Sequence, residues 1–476
     1  MIRKICALVF AFATVALAQE ATLQELDAPA ASHKGDVDEM QKHRAIRALV
    51  AFNKTAYFID NGRPRGLTYE ALTEFERFVN TSLHPNDKSG KEKIHILLIP
   101  ADPDTIASDL QNGRADIIAA PVFITEERKK AFDFISVGGS RKDVVVSGAS
   151  ALPLTSLDDL SGREVYQLRA GLAWTELEGL NKKLTASGKP AINLKPADKS
   201  LEWEDLVEMA SVGIVQYVVV PLHIAQLWKN VFPDLKIYAD FPVVDKLETG
   251  WVVRKDSPKL RAMLEQFATT HRIGTSFGNT IYNRYAKNPQ FIKNNRSAEG
   301  VQRFQKMAVL FKKYGDQYNF PWMLVAAEAF QESGLDHSVK SRVGAVGVMQ
   351  VMPATAAGPP VSIPSIDKLE NNIQAGVKLL KYIRDDYFKD DPMDPINKTL
   401  MTLAAYNAGP ARIRQCRKEA AAIGLNPNLW FKNVEYAVAK KVGAETVNYV
   451  SNIYKYYLGY KLQTERTDAR ATNKKI

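Results

Sequence analysis

Apolar runs and amphipathic stretches alternate along the first half of the chain, from Ile46 to about Ile273. Ala45–Phe52, Ile94–Ile99, Ile117–Val122, Val144–Val146, Ile214–Val220 and Gly250–Val253 read as strands, and Tyr69–Val79, Asp102–Asn112 and Leu201–Ala210 as helices. Strands separated by helices predict an α/β architecture with mostly parallel pairing. The pattern changes near Ile281–Asn295, a stretch rich in Asn, Lys, Arg and Tyr with no strand period. Beyond it nearly every segment has helical spacing: Val301–Tyr314, Pro321–Glu332, Asn371–Tyr387, Asn397–Tyr406, Val434–Val442 and Thr446–Tyr457. Pro353, Gly358-Pro359-Pro360, Pro392, Pro395, Gly409-Pro410 and Pro427 punctuate the loops between them. The second half is therefore predicted to be all-α.

The two ends depart from this pattern. Arg3 and Lys4 precede an uncharged apolar run, Ile5–Ala18, that closes on Ala16-Leu17-Ala18. A leading positive charge, a short apolar stretch and a small-residue exit make a secretory signal, too short to span a bilayer comfortably. The chain then divides into a signal at 1–18, a flexible polar leader at 19–44, an α/β unit at 45–280, a linker at 281–296, an all-α unit at 297–463 and a charged tail at 464–476 that should fray. Two folded units suit 476 residues, more than one core usually serves.

Cys6 lies inside the apolar run rather than after it, which argues against a lipid-modified cysteine. It leaves with the signal, so Cys416 remains alone and an internal disulfide is excluded. No His or Cys spacing suits a metal and no Gly-rich loop suits a phosphate, so neither a metal nor a cofactor is expected. The net charge is +10, and loss of Arg3 and Lys4 makes it +8. A basic surface attracts polyanions; for an exported chain these are cell wall and membrane lipid rather than nucleic acid.

Chemistry concentrates at Glu332. Pro321 suits a helix start, Trp322–Ala327 propagates the helix, and Ser333-Gly334 should end it in a left-handed cap. Glu332 then occupies the last turn, where the helix dipole and apolar neighbours both raise a carboxyl's pKa. A carboxylic acid still protonated near neutrality is what a glycosidic oxygen needs as proton donor. Around it stand Gln331-Glu332-Ser333-Gly334, Ser341, Gly344 through Pro353, Thr355, Ala404 through Gly409, and Glu445 through Val450. In order and spacing these blocks resemble the soluble lytic transglycosylase catalytic domain, which has a lysozyme-like fold. The resemblance covers about Val301 to Leu462, with Val348 where the family usually has Leu. It implies that Glu332 is general acid and base. Ser341 would contact the reacting N-acetylmuramic acid, Met349 and Gln350 would line the glycan cleft, and Tyr406 and Asn407 would form its opposite wall. Glu445 would hydrogen-bond within the site, and Tyr449 would bind substrate. With one carboxylic acid and no other in the Ser341–Thr355 loop, the resemblance implies substrate assistance and a 1,6-anhydro end.

The first half carries a second resemblance. Asn61 through Glu70, Leu110 through Ile118 with Ile124 through Arg128 and Phe132-Asp133-Phe134, and Gly250 through Pro258 are similar to family 3 extracellular solute-binding proteins. This implies two α/β lobes that close on a ligand about a hinge, with Arg128 gripping a ligand carboxylate. Pro121 and Phe123 replace frequent hydroxyl residues, and Pro221 replaces the acid that binds a ligand amine, so free amino acids should bind poorly. Together the two halves resemble the membrane-bound lytic murein transglycosylase F family, in which the binding module is regarded as regulatory. The expected partner is peptidoglycan in the periplasm, with a muropeptide or small ligand in the module and any peripheral attachment to the outer membrane left open. Two other readings are a goose-type muramidase that uses water, and a catalytically dead glycan-binding or sensory protein. Intact Glu332 and the intact Gly347–Gln350 block argue against the second.

Overall fold

The computed structural model describes residues 32–60, 63–87, 92–289, 299–389 and 392–473. The expected signal, half of the leader and the end of the linker lie outside them. The end of the leader is not loose. Helix α1 (Val37–His43) buries Val37 and Met40, and the Asp36 carboxylate that caps it also accepts from the Lys259 and Leu260 amides.

The N-terminal module continues with β1 (Ala45–Val50), β2 (Phe58–Asp60), β3 (Arg63–Arg65), α2 (Leu67–Leu83), β4 (His95–Pro100), α3 (Ile106–Gln111), β5 (Ile117–Phe123) and α4 (Glu126–Ala131). Strand β6 (Phe132–Ser147) leads to β7 (Glu164–Gln167), α5 (Leu172–Ala186), β8 (Asn193–Pro196), α6 (Trp203–Ser211), β9 (Tyr217–Pro221), α7 (Leu222–Lys229) and β10 (Lys236–Tyr238). Strand β11 (Val244–Arg254), α8 (Pro258–His271) and α9 (Ser276–Ala286) complete it.

The main sheet runs β4-β1-β5-β11-β6-β9-β7-β8, with β10 also on β6. Pairing is parallel within each outer part, β4-β1-β5 and β9-β7-β8. At the centre β11 and β6 are antiparallel to their neighbours, which the expectation of mostly parallel pairing did not include. These two strands carry the chain between lobes. Val144–Val146 is only the apolar end of β6. Its middle, Gly138-Gly139, has φ of 86° and 82°, a left-handed geometry that glycine adopts without strain. Helix α9 buries Ile281 and Tyr285 against α2, so the expected linker begins inside a packed helix.

The C-terminal domain is all-α: α10 (Glu299–Gln317), α11 (Trp322–Ser333), α12 (Pro353–Ala357), α13 (Leu369–Tyr387), α14 (Pro395–Ala408), α15 (Pro410–Ala422), α16 (Glu435–Lys441) and α17 (Ala444–Asn473). The last helix continues through the tail that was expected to fray, as far as Asn473. Helix α11 packs between α10 and α17, so the catalytic candidate stands on a helix held from two sides.

One connected apolar cluster runs through both halves. Tyr57 donates to the Tyr436 hydroxyl at 3.1 Å, Tyr454 donates to Asp198 at 3.1 Å, and Lys455 lies 3.0 Å from Asp205 and 2.5 Å from Glu208. The module is thus docked on the helical domain through α6 and the β2 region.

Candidate active site

Gly334 takes the left-handed cap of α11 with φ 64°, as its sequence position predicts. Glu332, in the turn before it, is half-buried. Burial pushes its pKa up to about 7, and a hydrogen bond from Tyr449 partly opposes the rise. That bond runs from the Tyr449 hydroxyl to Glu332 Oε1 at 2.8 Å. Both Tyr449 and Tyr406 are held well above the ordinary phenol value, chiefly by burial, so both remain proton donors.

The loop opposite is locked by side chains reaching its backbone. Ser333 Oγ donates to Val348 O at 3.0 Å, and Asn372 Oδ1 accepts from Met349 N at 2.8 Å. Gln350 sits at φ 45° and donates through Nε2 to Val339 O and Gly347 O. Gly347 approaches Asn372 so closely that a Cβ would meet Asn372 Nδ2 at 2.5 Å. Met349 is wholly buried against Gly376, so its side chain packs the core rather than lining a cleft. Its carbonyl accepts from the Tyr406 hydroxyl at 2.9 Å, which makes Tyr406 a strut beneath the loop. Ser341 Oγ accepts from Ala345 N at 2.9 Å and closes the turn, with its own proton left to donate. On the other side Asn407 is exposed and held by Thr446 at 2.7 Å, and Glu445 is exposed in the first turn of α17.

Glu332, Asn407, Glu445, Asn448 and Tyr449 face a cavity of about 890 Å³. Its far wall belongs to the module, at Phe52–Lys54 and the start of α6. Among the described residues no group of His, Cys, Asp and Glu has the arrangement of a metal site.

In the module, Arg128 caps the β5–α4 turn and donates to Phe123 O at 3.1 Å. Burial and then the neighbouring Arg141 lower its pKa. Arg141 is itself neutralised by Asp143 at 2.7 Å and lies between the rings of Phe123 (4.3 Å) and Trp203 (4.4 Å), one from each lobe. Among the described residues no carboxylate forms an ion pair with Arg128.

Residues 309–426 match the transglycosylase SLT domain, and residues 51–287 match the bacterial extracellular solute-binding proteins of family 3. Similar curated proteins include the membrane-bound lytic murein transglycosylase F of Desulfosudis oleivorans, 26% identical over 88% of this chain and 90% of its own. That of Pseudomonas fluorescens is 24% identical over 88% of this chain and 85% of its own. The chain is a lytic murein transglycosylase F-like protein. Among solved structures, an ancestral arginine-binding protein bound to glutamine aligns with 51% of this chain and 96% of its own, at 21% identity and a TM-score of 0.39.

Within the transglycosylase domain, two residues outside the quoted motifs, Asn372 and Glu328, and one inside them given no role from the sequence, Thr446, shape the site. Asn372 pins the loop backbone and Thr446 holds Asn407. Glu328, one turn before Glu332, receives the Tyr449 hydroxyl's second contact at 3.3 Å. A lone charge in the apolar run Leu324–Ala329, on the helix face of Glu332, was the signal in the sequence for Glu328.

Proposed function

We propose that the transglycosylase domain cleaves the β-1,4 bond between N-acetylmuramic acid and N-acetylglucosamine in peptidoglycan and leaves a 1,6-anhydromuramic acid end. The observation that carries this reading is the cleft acid itself. Glu332 has a pKa raised to about 7, and its Oε1 is occupied by Tyr449, which leaves Oε2 to carry the proton. A pKa near the working pH suits a group that must first donate a proton and then accept one. Two-carboxylate glycosidases place the second group across the scissile bond. Glu328 cannot serve, because it lies under Glu332 on the same helix and is wholly buried.

The substrate therefore supplies the missing nucleophile. Glu332 gives its proton to the leaving glycosidic oxygen as the muramic acid's N-acetyl oxygen bonds to C1. The carboxylate then takes the C6 hydroxyl proton as O6 attacks C1 and displaces the acetamido oxygen. No water is consumed and Glu332 ends protonated. Digestion of purified peptidoglycan followed by mass spectrometry should give mainly products one water lighter than hydrolytic ones. Reducing ends as the main product would favour a muramidase, with exposed Glu445 as the carboxylate that activates water. Sacculi bound but never cleaved would favour the glycan-binding reading.

The solute-binding module is proposed to be regulatory, with a cell-wall-derived peptide as its ligand. Half-buried Arg128, beside a second guanidinium and without a carboxylate partner among the described residues, supports an anionic ligand. Pro121, Phe123 and Pro221 argue against free amino acids. Such a ligand alters turnover only if it binds two arrangements of the lobes with different affinity. Calorimetry on the full chain should show muropeptide binding that Arg128→Ala weakens about tenfold or more, with a matching change in turnover. No binding and no change would reduce the module to a spacer. Export to the periplasm and peripheral membrane association complete the proposal; among the described residues no helix is long and apolar enough to cross a membrane.

A further inference from the structure

We infer that Glu328 is a positioning residue for Glu332, a buried carboxylic acid that donates a hydrogen bond to the Tyr449 hydroxyl and so fixes the direction of the bond from Tyr449 to Glu332. The inference rests on the role of Glu332 proposed above. Its basis is a count of protons along three groups. Tyr449 lies 2.8 Å from Glu332 Oε1 and 3.3 Å from Glu328 Oε1, and has one proton for two carboxyls. Glu328 is wholly buried, and its Oε2 has no hydrogen-bond partner among the described residues.

The groups facing Glu328 are Glu332 on its own helix, Tyr449 from α17 and Tyr406 from α14, none of them a cation. An isolated carboxylate in such surroundings is strongly disfavoured, so Glu328 stays neutral. Burial and the nearby Glu332 charge both act in that direction. A neutral carboxyl has one proton to donate, and Tyr449 Oη is the acceptor within reach. The Tyr449 proton is then committed to Glu332 Oε1. Each bond polarises the next, so Tyr449 becomes a better donor to the Glu332 carboxylate formed during the reaction. The reactive proton is kept on Oε2.

The test uses the full chain and measures kcat, KM and the alkaline limb of the pH profile for Glu328→Leu, Glu328→Gln, Tyr449→Phe and Glu328→Leu combined with Tyr449→Phe. Glu328→Leu should lower kcat about tenfold, the scale of one buried hydrogen bond lost, with KM little changed. A weaker donor stabilises the Glu332 carboxylate less, so the alkaline limb should move to higher pH. Gln at 328 can donate through its amide, and Glu328→Gln should recover most of what Glu328→Leu loses. The double variant should be no slower than Tyr449→Phe alone, because both changes break one chain.

Three results would overturn the inference. An alkaline limb moved to lower pH in Glu328→Gln would mean that Glu328 is ionised and repels Glu332. Wild-type kinetics in Glu328→Leu would make it core filling. Losses that multiply in the double variant would separate the two groups. Glu332→Gln, measured alongside, tests the underlying reading by itself: activity there would refute the assignment of Glu332 whatever Glu328 does.

Discussion

Glu332→Gln is expected to lower turnover by roughly 10²–10⁴-fold, the range general acid–base catalysis usually contributes, while glycan binding persists. Gln keeps the shape and can still accept from the Tyr449 hydroxyl, but it has no proton to give the leaving oxygen. The wild-type pH profile should fall as pH rises through about 7, where Glu332 loses that proton. The same shift has a consequence for stability. The folded value lies above the ordinary 4.5, so the stabilisation is fully present below that value and is lost as pH climbs through about 7. Gln escapes this loss. The variant should therefore gain on the wild type at pH 8 relative to pH 4, on the order of 1–3 kcal/mol, seen as a difference in thermal unfolding. An active variant with native stability would end the assignment of Glu332.

The setting of Glu332, the proposed general acid, was legible in the sequence because it is local. A helix propagated by Leu324–Ala329 and stopped by Gly334 places residue 332 in its last turn without reference to the rest of the chain. The expected rise in pKa is present, with burial as its leading cause. Met349 was read wrongly for the opposite reason. Whether a loop side chain points into a cleft or into the core depends on α13, whose Gly376 leaves room for it. Tyr406 illustrates the same dependence, since its hydroxyl supports the Met349 carbonyl. In the module, β6 was legible only where three valines run together. Its polar, glycine-bearing middle is held in strand by its partner β11, and a partner distant in sequence leaves no mark on local periodicity. The docking of the two domains was equally hidden, because Glu202, Glu204, Asp205 and Glu208 look like an ordinary solvated helix start until Lys455 is placed against them.

Lys455→Met should destabilise the full chain by about 3–5 kcal/mol, the usual cost of removing one partner from a buried ion pair. Lys455 is 3% exposed and Glu208 4%, so the Glu208 charge would be left buried with only the more distant Lys54, 3.7 Å away, beside it. Among the described residues, this contact gathers Glu202, Glu204, Asp205, Glu208 and Glu435 around Lys54, Lys432 and Lys455. Carboxyls outnumber ammonium groups by two, and the excess is met by protonation. Burial and the adjacent Glu202 push Glu204 up to about 8, and burial brings Glu435 up to about 7. Both values lie above the ordinary 4.5, so the domain contact should be firm in acid and weaken as pH rises through 7 and 8. Calorimetry of the full chain should show the melting temperature of Lys455→Met lowered by several degrees, and most of the loss should return when Glu208→Leu removes the stranded charge. A melting temperature unchanged in Lys455→Met would mean that the pair is wet and the module loosely seated. The functional readout follows from α17, which carries Lys455 into the contact and Tyr449 onto Glu332. Freeing the helix at one point should disturb it at the other, so Lys455→Met should also lower turnover although it lies outside the chemistry.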